Sequence, residues 1–204
     1  RRALKISLPM GLQQMIMCMA YIATTVIIAP LGTFAIAANS FGVIVESLCY
    51  MPGYGIADAA TTLVGQSMGA GRRELMKRFA WLAVALGMGV MTLMSVVMYV
   101  GAPFAMAMMT PSEQVQQLGV EVLRIEAFAE PMFAAAIVCY GVFVGAAKTV
   151  APSIMNFVSM WGVRITLAAL LAPTMGLRGV WLAMCMELCF RGIIFLTKLK
   201  LWKI

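Results

Sequence analysis

Long apolar segments separated by short polar connections dominate the pattern of this chain. A membrane-spanning helix needs roughly 20 predominantly apolar residues, because it rises about 1.5 Å per residue across a hydrocarbon core about 30 Å thick. Six segments reach that length, which predicts an all-α integral membrane protein with one six-helix lobe over residues 1–204. The predicted spans are residues 6–28, 33–67, 79–101, 118–145, 152–172 and 179–197.

Prolines predict irregular backbone in two of the spans. The second span is too long for one straight helix, and Pro52, Gly53 and Gly55 interrupt it. Because proline removes a backbone donor and clashes with the preceding turn, we expect a kink at Pro52. In the fourth span, Pro131 predicts a local kink that frees a carbonyl group for ion coordination.

Basic residues fall almost entirely on one side of the predicted membrane domain. Eleven of the fifteen lysines and arginines lie in connections on that side, whereas only Arg178 lies in the opposite ones. The positive-inside rule predicts that these connections and both termini of this segment are cytoplasmic, in a multi-pass protein of the inner (plasma) membrane. The eleven are Arg1, Arg2, Lys5, Arg72, Arg73, Lys77, Arg78, Lys148, Lys198, Lys200 and Lys203.

Composition supports a membrane environment and argues against most other classes. Hydrophobic residues make up 63% of the chain and charged residues 11%, too little polar surface for a water-soluble domain. The net charge of +7 is explained by cytoplasmic loops beside anionic lipid headgroups, so no nucleic-acid partner is predicted. Without histidine and without CxxC spacing, the chain predicts no metal site, no cofactor and no catalytic residues.

Acidic residues inside the predicted spans are the main functional candidates. A charge at the bilayer centre costs at least about 2.5–3.5 kcal/mol, so intramembrane charges are functional or paired. Glu126 and Glu130 are four residues apart and share one helix face, where two ionised carboxylates would repel each other. We expect at least one of them to hold a proton or a cation. The alternative is that Arg164 on the neighbouring span neutralises Glu130.

Two further groups of charges complete the set. Glu187 and Arg191 have the spacing of an intrahelical ion pair, which favours a structural role. No basic residue shares the span of Glu46, so its partner must come from another helix, such as Arg164, or be a proton. Glu46 is therefore a candidate for ion coupling or substrate binding.

Several short motifs resemble the second half of a multidrug and toxic compound extrusion (MATE) transporter. No single motif is very specific, but the order and spacing of the motifs together are. The resemblance covers nearly the whole chain. One departure is Lys148, where the family commonly has aspartate. The matching residues are Val64, Gly65, Gln66, Gly69, Ala70 and Gly71, then Asn156, Trp161 and Arg164, then Gly176, Leu177, Gly179 and Trp181.

The resemblance implies that this chain is one lobe of a twelve-helix transporter whose N-terminal lobe is its partner. The implied function is an antiporter, not an enzyme, that exchanges H+ or Na+ for amphipathic, often cationic, drugs or metabolites by alternating access. Some members carry ion-coupling acids on helices that correspond to the first, second and fourth spans. The first span here has none, which leaves Glu46 and then Glu130 and Glu126 as the implied coupling residues.

Two other functions stay open at this point. A lipid-linked oligosaccharide flippase of the same broad superfamily would need a more cationic cavity, for which only Arg164 is a strong buried candidate. A non-catalytic structural membrane subunit has no positive signal. An intramembrane protease would need paired aspartates, a Ser-His pair or an HExxH site, and the chain has a single aspartate and no histidine.

Overall fold

The computed structural model describes the backbone of residues 2–202 and the side chains of residues 11–202. The basic cluster of Arg1, Arg2 and Lys5, together with Lys203, therefore lies outside the described side chains. The helices are α1 (Arg2–Ile28), α2 (Thr33–Gly69), α3 (Arg73–Met109), α4 (Glu113–Ala127), α5 (Glu130–Gly145), α6 (Val150–Phe157), a π-helix (Val158–Ile165), α7 (Thr166–Met175) and α8 (Leu177–Leu201), with a 3₁₀ turn at Ala29–Leu31.

The helices form an antiparallel bundle with short connections. Five of the helical segments are long and apolar enough to cross a membrane, and α4 with α5 makes a sixth if that bent pair is one span. The predicted all-α membrane fold is confirmed, although α3 extends from Arg73 to Met109 and is longer than predicted. The connections at residues 70–72 and 146–149 lie at one end of the bundle, where the described basic residues concentrate.

The helix α2 continues unbroken through Pro52. A kinked helix can remain continuous, so the kink at Pro52 stays a prediction. Gly53 follows the proline and packs against α3, where an added Cβ would lie 3.1 Å from Met91 Sδ. Close packing of this kind helps a membrane helix to accommodate proline.

The fourth span is broken at residues 128–129, and α4 and α5 meet at an angle of 57°. Pro131 explains the break, because it has no N–H to donate to the carbonyl of Ala127 four residues earlier. The Ser95 hydroxyl on α3 donates to Ala127 O instead, at 2.5 Å. The carbonyl that proline frees thus accepts a hydrogen bond from a serine, and its part in ion coordination stays a prediction.

We expect Ser95→Ala to lower the free energy of unfolding by about 1–3 kcal/mol, since Ala127 O would lose the side-chain donor that it has among residues 11–202. The apparent melting temperature of the purified full-length protein measures this. Ser47→Ala is the matched control, because the Ser47 hydroxyl donates only to Ile44 O of its own helix. It should change stability by no more than about 0.5 kcal/mol. Equal stability of the two variants would contradict the role of Ser95.

Glycines allow α2 and α5 to pack with their backbones in contact. An added Cβ on Gly141 would lie 2.5 Å from Ala57 O, and Gly145 packs equally tightly against the backbone of Thr61. The Thr61 hydroxyl lies 2.9 Å from Gly141 O and joins the two helices. The small-residue spacing i, i+4 on α5 therefore marks a helix–helix interface.

The apolar core consists of two clusters stacked along the bundle. One contains Trp181 and buried residues of α2, α3, α4 and the first half of α8. The other contains Phe143 and Phe195, with the second halves of α2 and α8 and most of α5. Glu130 on α5 and Arg191 on α8 lie between the parts of the chain that belong to the two clusters. Glu126 and Glu187 lie four residues before them, among the last residues of the first cluster. A layer of ionisable groups therefore crosses the bundle near mid-depth.

Candidate functional site

A cleft of about 290 Å³ opens at the level of this ionisable layer. Its wall combines charged, phenolic and amide groups with apolar side chains from α1, α2, α5, the π-helix and α8. The polar and aromatic residues that line it are Tyr21, Thr24, Thr25, Asn39, Ser40, Glu46, Tyr50, Tyr54, Phe133, Arg164, Trp181 and Arg191. In membrane transporters, substrate sites usually lie near mid-depth.

Glu46 is the acidic residue of the described cleft wall. The residue is 7% exposed, and it has no lysine or arginine within 4.0 Å in the described part of the chain. An ionised carboxylate in such a place is costly unless a cation, a proton or a charged ligand accompanies it. A proton, a cation or a charged ligand at Glu46 would therefore offset this cost.

A π-helix positions Arg164 on the cleft wall. Arg164 is five positions after Ser159, which in an α-helix would place them about 140° apart around the axis. The wider π-helix brings residues i and i+5 to nearly the same side. Both side chains accordingly reach α8, where Ser159 Oγ donates to Glu187 and Arg164 Nη2 donates to Met184 Sδ. The sequence motif indicates Arg164 but contains no signal for this backbone geometry.

Glu187 and Arg191 form the ion pair that their spacing on α8 predicts. Arg191 Nε lies 3.1 Å from Glu187 Oε1, and both side chains are almost completely buried. Their geometry is that of a close ion pair without a hydrogen bond at Nε. The guanidinium of Arg191 also lies over the ring of Phe133, 5.5 Å from its centre. Arg191 therefore lines the cleft with its charge balanced by Glu187.

Glu126 and Glu130 lie on the two sides of the α4–α5 break and do not line the cleft. Both are essentially inaccessible, and none of their four carboxylate oxygens has a hydrogen-bond partner among residues 11–202. Glu126 lies in the last turn of α4, where the helix dipole disfavours negative charge, and Glu130 begins α5, where the dipole favours it. The pair thus has two different electrostatic environments within one helix break.

The geometry brings together some of the predicted residues and separates others. Glu46, Arg164 and Arg191 meet at the cleft, with Glu187 directly behind it. The possible pairing of Arg164 with Glu130 is absent, because no carboxylate of residues 11–202 lies within 4.0 Å of Arg164. Sequence reasoning missed Ser159, Met184, Tyr21 and Asn39, since uncharged residues in an apolar span give no sign of which face they occupy.

Comparison with known proteins places this geometry in a family. The MatE family model matches residues 9–170. The chain is 29% identical over 196 residues to a probable multidrug resistance protein NorM of Xylella fastidiosa, covering 95% of the chain and 42% of that protein. It is 30% identical over 188 residues to a probable NorM of Brucella suis, covering 88% and 40%. The chain therefore spans less than half of the length of these curated relatives.

Solved structures share the fold. A MOP superfamily transporter from Pyrococcus furiosus superimposes with a TM-score of 0.92 at 15% identity, over 98% of this chain and 44% of that one. The MATE transporter VcmN of Vibrio cholerae gives a TM-score of 0.90 at 18% identity, over 97% and 45%. The helices described above therefore have the arrangement found in about half of such a transporter.

Proposed function

This chain belongs to the MatE family, and we propose that it forms one lobe of a secondary antiporter that exports amphipathic, often cationic, compounds in exchange for H+ or Na+. The single observation that carries the proposal is Glu46, a buried acid on the wall of the mid-depth cleft without a cation beside it in the described residues. Curated relatives that bear the name multidrug resistance protein support the export of drugs.

Glu46 supplies a way to couple an ion to a substrate. When it is ionised, its carboxylate attracts a cationic substrate into the cleft; when it binds H+ or Na+, that attraction disappears and the substrate is released. At an effective dielectric constant of about 20, opposite charges about 6 Å apart attract by about 3 kcal/mol, or roughly a hundredfold in affinity. One carboxylate can therefore account for useful coupling.

The second wall of the site belongs to the N-terminal lobe that we propose as the partner. Rocking of two lobes against each other would open the cleft alternately to each side of the membrane. Glu126 and Glu130 lie behind the cleft at the α4–α5 break, so we assign them a secondary part in coupling, through binding of a proton or cation. Membrane lipid surrounds the remaining apolar surface, which includes many exposed leucine, valine and phenylalanine side chains.

Transport by the purified full-length protein in liposomes tests the proposal. We expect an imposed H+ or Na+ gradient to drive uphill movement of a fluorescent organic cation such as ethidium, and an ionophore that collapses the gradient to abolish it. Movement that neither gradient drives would contradict coupled export. Failure to move any cationic dye would favour the flippase instead.

A further inference from the structure

Arg164 is a buried cation on the cleft wall, and no carboxylate of residues 11–202 lies within 4.0 Å of its guanidinium. The residue is 6% exposed, and its guanidinium lies over the ring of Tyr21, 5.6 Å from the centre. Among residues 11–202, its one hydrogen-bond acceptor is the thioether of Met184. A thioether is a weak acceptor, and a guanidinium has five N–H groups to donate. Most of its hydrogen-bonding capacity therefore remains available.

The two arginines of the cleft differ in this respect. Arg191 has Glu187 at 3.1 Å, so the pair is neutral as a unit. Arg164 has a thioether and an aromatic face, which together offset only part of the cost of an intramembrane charge. Glu46 lines the same cleft but lies more than 4.0 Å from Arg164. Arg164 is thus the cleft arginine without a direct carboxylate contact, and a ligand in the cleft can supply one.

Neighbouring polar groups add hydrogen-bond donors to the same wall. Trp181 Nε1, which can only donate, binds Asn39 Oδ1 at 3.0 Å and thereby leaves the amide nitrogen of Asn39 as a donor. Gly42, close by on α2, makes room for the indole, since an added Cβ would lie 3.0 Å from Trp181 Cζ2. The phenols of Tyr21, Tyr50 and Tyr54 also line the cleft. These donors suit an anionic group.

We infer that Arg164 binds the anionic group, a carboxylate or a phosphate, of an amphipathic molecule in the cleft. The inference rests on the proposed function and narrows its substrate class. Glu46 and Arg164 line one cleft, so a molecule that carries both a cationic and an anionic group finds a partner for each. The preferred substrate is accordingly a zwitterion, which carries a carboxylate in addition to a cationic group.

Equilibrium binding of two matched dyes to the purified full-length protein tests this inference. Rhodamine 110 carries a free carboxylate at pH 7.5, and rhodamine 123 is its methyl ester, so the pair differs in the anionic group. We expect fluorescence polarisation to give at least about fivefold tighter binding of rhodamine 110. Arg164→Gln should weaken rhodamine 110 binding about tenfold or more and leave rhodamine 123 within twofold. Arg164→Lys should retain much of the preference, and Arg178→Gln, at the exposed end of the bundle, should retain all of it.

The contrary results are equally distinct. If the wild-type protein binds the ester as tightly as the acid, the inference is overturned, whatever the variants do. An unchanged preference in Arg164→Gln would overturn it as well. The binding measurement needs no ion gradient, so the two proposals can fail separately. If a gradient drives export of rhodamine 123 but rhodamine 110 binds no more tightly, the inference about Arg164 is wrong and the antiporter proposal stands. If rhodamine 110 binds more tightly but no gradient drives export, the antiporter proposal is wrong and the inference about Arg164 stands.

A lipid phosphate offers the same chemistry as a soluble carboxylate. The dye measurement is therefore repeated in nanodiscs of phosphatidylcholine with and without phosphatidylglycerol. Displacement of rhodamine 110 by phosphatidylglycerol in the wild type, absent in Arg164→Gln, identifies lipid phosphate as an occupant of the site. Binding that is insensitive to phosphatidylglycerol identifies a soluble substrate as the source of the anionic group.

Discussion

Glu46→Gln is expected to lower gradient-driven export by at least about tenfold. The amide keeps the size of the side chain but can neither bind a proton nor carry a negative charge, so the cleft loses the group that distinguishes its ion-bound and ion-free states. A ligand or ion that binds two conformational states equally well does not change the equilibrium between them. The measurement is the initial rate of dye movement in liposomes with and without the gradient. Residual transport should become independent of the gradient.

The matched control is Glu113→Gln, at an exposed position in the first turn of α4. It removes one carboxylate of the same type far from the cleft and should leave the rate within twofold. Glu130→Gln and Glu126→Gln extend the series to the buried acids at the helix break, where smaller effects are expected because these residues do not line the cleft. Driven export by Glu46→Gln at more than half of the wild-type rate would remove Glu46 from the coupling mechanism.

Arg191→Met should destabilise the protein by about 3–5 kcal/mol, the second large effect. Glu187 is completely buried, so loss of its partner at 3.1 Å leaves an unpaired carboxylate inside the membrane domain. The hydrogen bond from Ser159 remains but cannot replace a charge. The apparent melting temperature of the full-length protein in detergent should fall by on the order of ten degrees.

Two comparisons separate this effect from a general loss of packing. Adding Glu187→Gln to Arg191→Met should restore most of the stability, because replacement of both members of a buried pair is often nearly neutral. The same chemical pair also occurs at the surface, where Arg178 Nε lies 2.6 Å from Glu121 Oε2 and both side chains are about half exposed. Arg178→Met should cost no more than about 1 kcal/mol. A double variant no more stable than Arg191→Met would refute the pairing argument.

The helical bundle and its layer of ionisable groups were predictable from the sequence, because the lipid environment dictates both. Apolar segments of membrane-spanning length must form helices in lipid, since each backbone polar group needs an internal partner there. Glutamates and arginines in the middle of such segments are placed at mid-depth by the rise of the helix alone. The spacing of Glu187 and Arg191 also predicted their contact, because residues four apart on a helix are neighbours. The charges and their depth are thus sequence-level properties.

Other features depend on contacts between distant parts of the chain. Pro131 predicted a local kink, but only packing of α3 against this segment brings Ser95 to the orphaned carbonyl of Ala127. Pro52 predicted a kink of the same origin, and there the helix continues. Proline alone therefore does not decide whether a membrane helix breaks: the chain breaks before Pro131, although Ser95 binds the freed carbonyl, and it does not break at Pro52.

By itself, the sequence determined an all-α membrane lobe, the positions of its buried charges and its family resemblance, because hydropathy, helical rise and short-range spacing are local quantities. The tertiary structure decided which charges face the cleft and which are already neutralised. In the structure, Glu46 and Arg164 line one cleft, Arg164 does not pair with Glu130, and Arg191 forms an ion pair with Glu187. The reason is geometric: the face that a side chain presents depends on the packing of several helices and, for Arg164, on a π-helix that the amino-acid pattern does not reveal.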